Sequence, residues 1–115
     1  MIIYSVTIAI ETRIESEWLD WMNRIHIPDV LQTGCISKCR TYKVLGSEGD
    51  EPTYVIQYYC QSLEQYDRYR DSFAPALQKD HSDRFAGSFR ASRQLLEEVA
   101  QAEHGTIENE AKREQ

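Results

Sequence analysis

His26 and Asp29 carry the most reactive chemistry in the chain. An imidazole titrates near neutrality and can give or take a proton. Asp29 follows three residues on, just past Pro28, where its carboxylate could orient the ring. Each residue also has a plainer reading. His26 could cap a carbonyl that the proline frees, and Asp29 could be an acid in a first helical turn, where the helix dipole favours it. Trp18 and Trp21 are three apart and share a helical face, so they either wall a small-molecule pocket or fill the core. Tyr54 and Tyr58 share one face of a strand and Tyr59 points the other way. Together with Tyr42 they form an aromatic cluster expected on two central strands. Buried phenols need partners for their hydroxyls, so one set could reach a cleft while the rest fill core and interface. Lys38 and Arg40 share a strand face, and Arg90 and Arg93 lie on the last strand. Such cations could hold a carboxylate or phosphate, or guard an edge strand against unwanted pairing.

The other candidates are weaker. His81 and His104 read as surface residues outside any motif. Cys35, Cys39 and Cys60 are odd in number and lack paired spacing, so they are not a disulfide framework. No second Cys or His pair completes the four ligands of a structural zinc site. Reduced, mostly buried thiols fit a cytoplasmic setting. There is no phosphate-cradling glycine loop, no nucleophile elbow and no His/Glu metal helix. The net charge of −6, from 13 basic and 19 acidic side chains, repels phosphate backbones and argues against nucleic acid. No run approaches the ~18 apolar residues of a membrane span.

These residues must be positioned by a small number of elements. The 115 residues, 41% of them apolar, suffice for one packed domain. Residues 2–10 alternate, with Ile2, Tyr4, Val6, Ile8 and Ile10 on one side and Ile3, Ser5, Thr7 and Ala9 on the other. That is a strand with one strongly apolar face. Over residues 11–34 the period becomes helical, with Ile14, Trp18, Trp21, Met22 and Ile25 on one stripe. Thr12 and Glu15 fit a capping box. Pro28 predicts a break or kink near His26-Ile27 and opens a short second turn, which Gly34 is placed to end.

Residues 36–45 read as a second strand and Thr53 to Gln61 as a third, joined as a hairpin by a Gly/Ser/Asp/Pro turn. Ser62 with Gln65 is another capping box, and Leu63, Tyr66, Phe73 and Leu77 keep helical spacing. Pro75 should bend this helix, with a separate short turn around His81 to Phe85. Gly87 opens a last strand from Ser88 to about Val99, with Phe89, Ala91, Leu95 and Val99 on one face. The domain is expected to span residues 1–102. Residues 103–115 read as a flexible acidic tail.

The order βαββαβ specifies an α+β, ferredoxin-like fold: a four-stranded antiparallel sheet with two helices on one face. The other face is left bare, and a second copy packed sheet to sheet is the economical cover. The stretch from Trp18-Leu19-Asp20-Trp21 through His26-Ile27-Pro28 to Gly34 resembles the first helix and helix end of dimeric α/β-barrel proteins. EthD-like and antibiotic-biosynthesis-monooxygenase-like families carry a similar Trp, then His-x-Pro, then Gly before the second strand. Taken with Met1–Val6, Thr53–Tyr59 and Arg84–Val99, the chain is most similar to a short domain-of-unknown-function family of that superfamily. The resemblance implies a homodimer whose sheets close into a barrel, with a small-molecule cleft between each sheet and its helices. The Asn/Trp/His sets of haem-degrading members have no match here, and no cofactor is expected.

Two functions remain open from the sequence. One is a homodimer that binds a small apolar or aromatic metabolite, with His26 and Asp29 as acid–base candidates and Trp18, Trp21, Tyr54, Tyr58 and Arg40 as binding candidates. The other is a dimerisation module without a ligand. An RNA-binding sheet is more remote, because Thr53-Tyr54-Val55-Ile56-Gln57-Tyr58-Tyr59 lacks the glycines of the basic-Gly-aromatic pattern.

Overall fold

The computed structural model describes residues 1–47 and 51–105. Strand β1 spans Ile2–Ile10 and is followed by a 3-10 turn at Thr12–Ile14, helix α1 (Glu15–Trp21), a π-helical turn at Met22–His26 and helix α2 (Ile27–Gln32). Strands β2 (Lys38–Lys43) and β3 (Thr53–Cys60) come next, then helices α3 (Leu63–Ser72) and α4 (Ala74–Phe85) and strand β4 (Phe89–Glu97). The strands form one antiparallel sheet in the order β2-β3-β1-β4. This is the ferredoxin-like α+β arrangement. Among the described residues, no helix is long and apolar enough to cross a membrane.

The register follows from the alternation in β1. Tyr4 lies opposite Tyr58 on one side and Leu95 on the other, and Ile8 lies between Tyr54 and Ala91. Ile2, Tyr4, Val6, Ile8 and Ile10 are therefore on the same side as Tyr54, Ile56, Tyr58 and Cys60, and all nine are buried. Both helical crossovers cover that side: Trp18 packs on Tyr54, Tyr66 on Tyr4 and His81 on Phe89. Each large apolar side chain buried this way contributes roughly 1.5–3 kcal/mol, which holds the helices to the sheet. Among the described residues, no helix lies over the opposite side.

Several expectations change in detail. Strand β2 is an edge strand rather than a central one, and it is shorter than residues 36–45. Thr12 is not the N-cap residue expected of it. Thr12 lies inside the 3-10 turn, α1 starts after Ile14, and no side chain caps it. Backbone supplies the entry instead: Ile10 N–H donates to Pro52 O, Glu11 N–H to Ser88 O and Ile14 N–H to Glu11 O.

Pro28 opens α2 as expected, and the irregularity before it is a widened turn. Ile27 N–H reaches back five residues to Met22 O, which makes room for a ring that would otherwise clash with the preceding turn. Gly34 takes φ +78° and ends α2 as expected. Pro75 does more than bend a helix. It opens α4, and Phe73 (φ −124°, ψ −40°) separates α4 from α3. The turn expected around His81 to Phe85 is the end of that same helix. Ser62 caps α3 as expected, its Oγ accepting from Gln65 N–H at 3.2 Å. Strand β4 stops at Glu97, leaving Val99 outside the sheet. Of the expected tail, residues 106–115 lie outside the described residues.

Candidate functional site

The π-turn decides where His26 sits. Residues i and i+5 diverge by about 140° around a regular α-helix. One wider turn brings them back into line, and Trp21 and His26 stack with ring centroids 5.3 Å apart and planes 28° apart. From α4, His81 completes the group. Its ring lies 6.0 Å from His26, 5.8 Å from Trp21 and, edge-on, 4.5 Å from Phe89 of β4. Trp18 Nε1–H donates to His81 Nε2 at 2.9 Å. That bond requires an unprotonated Nε2, so the ring is neutral with its proton on Nδ1.

The electrostatics agree with this geometry. Burial pushes the His81 imidazole down from 6.5 to about 4, with His26 and Arg93 adding to the effect. Burial also lowers His26, while the carboxylates of Asp29 and Asp80 pull it partly back. His26 is half-buried. Asp29 thus acts on His26 through its field, and among the described residues no hydrogen bond joins them. Asp29 itself is exposed and borders a groove of about 340 Å³ between α2 and the α3–α4 junction, floored by Phe73, Ala76 and Leu77.

The remaining candidates separate. Trp18 and Trp21 are buried in the cluster with the two histidines. Tyr54 joins them through Trp18, at 5.2 Å. Its hydroxyl donates to Glu15 Oε2 at 2.6 Å, and Lys43 Nζ lies 3.3 Å from the same oxygen. Those two partners hold the Glu15 carboxyl below its usual range. Tyr58 stands at the other end of the sheet, stacked 5.8 Å from Tyr4 in a second cluster with Tyr66 and Tyr69. Burial raises the Tyr58 phenol well above its ordinary value, so it stays protonated.

Arg40 lies on the uncovered side of the sheet, over the Tyr59 ring at 6.0 Å. Tyr42 shares that side and is exposed. The expected binding set is therefore split among three places. Trp18, Trp21, His26 and Tyr54 converge, Tyr58 does not reach them, and Arg40 is on the far face.

His81 is the residue that sequence reasoning misplaced at the surface. It is buried at 7% exposure. The signal was available: Ala74, Leu77, His81 and Phe85 repeat every three or four residues, the stripe of a helix facing its core.

Residues 1–99 match the family described as Domain of unknown function (DUF4286). The chain belongs to the DUF4286 family. The fold of this DUF4286 chain recurs in solved structures of low sequence identity. An EthD-family protein from Bacillus halodurans superposes with a TM-score of 0.59 at 16% identity, over 86% of this chain and 100% of that one. A dimeric ferredoxin-like protein from an uncultured marine organism gives 0.67 at 12% identity, over 90% and 100%. A variant of SnoaB, a cofactor-independent oxygenase from Streptomyces nogalater, gives 0.62 at 7% identity, over 87% and 95%. The EthD-like resemblance read from the Trp18 to Gly34 segment is thereby borne out at the level of fold. No curated protein matches the DUF4286 chain in sequence.

Proposed function

We propose that this DUF4286 chain works as a homodimer, two copies packing the uncovered sides of their sheets into a closed α/β barrel. One observation carries the reading: among the described residues the sheet has helices on one side only, and the other side turns Ile3, Val55, Tyr59 and Leu96 outward, each only partly covered by its neighbours. Four strands ~4.8 Å apart and up to nine residues long make a patch of roughly 20 by 30 Å. With side-chain relief that approaches the ~800 Å² per partner of a stable interface. A structural neighbour described as dimeric supports a two-chain assembly. Three free cysteines, two of them buried, suit a reducing cytoplasmic setting.

A second reading adds a ligand to the dimer. The groove beside Asp29 is mainly apolar and, at about 340 Å³, falls at the low end of the ~300–1,000 Å³ of small-molecule sites. A small apolar or aromatic molecule fits it. Native mass spectrometry of freshly purified protein reads both claims. Two-chain species are expected, and extra mass on the dimer marks a retained ligand. Single chains alone at micromolar concentration contradict the dimer. A bare dimer leaves the chain as a dimerisation module.

A further inference from the structure

We propose that the uncovered sheet face, once closed by a second copy, holds a small organic anion, a carboxylate or a phosphate. This inference rests on the dimer reading. The chain as a whole carries −6. Yet among the described residues its strands turn Lys38, Arg40 and Arg90 to the uncovered side and no carboxylate. Lys38 Nζ stands 4.7 Å and the Arg40 guanidinium 6.0 Å from the Tyr59 ring centroid. Arg90 reaches Glu51 through one Nη, and a guanidinium has five N–H donors, so most of its fork stays available.

Beside Arg90 the face is hollowed. Thr7, Ala9 and Ser92 are small, and with Thr53 they line a groove of about 330 Å³ whose walls offer hydroxyls next to the guanidinium. A second copy would bring the same three cations again into a partly dry interface. Glu51 offsets Arg90 in each copy, but three cations against one carboxylate leave the face positive, and burying unbalanced charge is unfavourable; an anion between the sheets lowers that cost. Guanidinium and hydroxyl donors side by side suit carboxylate or phosphate oxygens, and the groove admits a body of small-metabolite size.

Sedimentation of the full chain at constant ionic strength, in chloride, in inorganic phosphate and in benzoate, tests this. Phosphate or benzoate is expected to tighten the dimer about tenfold relative to chloride, since a ligand held only by the dimer stabilises it. The salt that does so identifies the anion class. Arg90→Gln is expected to reduce the tightening to under roughly threefold. Amide shifts of Thr7 and Ser92 in the unsubstituted chain should move in the same titration, which keeps the test valid if the variant folds poorly. A dimer indifferent to both anions overturns the inference and leaves the dimer standing. Shifts confined to the helix side, or salt-sensitive binding of labelled single-stranded RNA to this face, overturn it as well. A chain that stays single in all three salts overturns the dimer reading itself.

Discussion

His81 ties the two helical crossovers together by a buried hydrogen bond, because its Nε2 takes the only N–H of the Trp18 indole. Replacing it with leucine leaves that buried donor without an acceptor, at about 1–3 kcal/mol. Imperfect filling of the site adds roughly another 1 kcal/mol. Urea unfolding of His81→Leu at pH 7 should show a loss of about 2–4 kcal/mol. The pH dependence has a definite sign. The imidazole titrates at about 4 in the fold against 6.5 ordinarily, so the unfolded chain binds the proton more readily. Stability is full above about pH 6.5 and falls as pH drops towards 4, by on the order of 3 kcal/mol. His26 adds to the same slope, because burial lowers it too. The cost of His81→Leu should therefore shrink at pH 4, where the unsubstituted protein has lost most of that stability. His26 was legible because Pro28 marks its place. His81 was not, because the stripe reads as ending at Leu77 with His81 in a separate turn, whereas Ala74–Phe85 is one helix.

At the scale of elements, local chemistry was readable where the backbone depends on a side chain. Ser62 is such a case, its hydroxyl oxygen accepting from Gln65 N–H. Ser62→Ala should cost about 1 kcal/mol in chemical denaturation. Gly34 is another. A Cβ there would meet nothing within 4 Å, yet φ is +78°, so Gly34→Ala should cost about 1 kcal/mol through backbone strain alone. Thr12 looked like Ser62 in sequence but plays no such part at the start of α1. Neighbouring strand ends already serve the turn through Pro52 and Ser88 carbonyls, and those contacts are far away in sequence. The widening at Met22–His26 was hidden for a related reason. A proline announces trouble for a helix, but whether the helix breaks or absorbs it depends on packing against α4.

At the scale of the whole molecule, strand alternation in β1 and the element order sufficed for the antiparallel sheet and the side the helices cover, but not for the strand order, since β2 lies at an edge. They did not place Arg40 relative to Trp18, because which sides of β2 and β3 meet the helices depends on the registers Cys39 to Tyr58 and Ile8 to Tyr54. The same registers put Val55 near the middle of the uncovered side. Val55→Arg should leave the monomer fold intact, since no described helix or loop packs over that side in one copy, and should weaken dimerisation at least about tenfold, as expected for a charge placed in an interface core. Circular dichroism and size-exclusion chromatography together check both halves of that statement. The most direct measurement is sedimentation equilibrium of the unsubstituted chain at low micromolar concentration. A mass of two 13.4 kDa chains is the expected result, and a single-chain mass that does not rise with concentration would contradict the account.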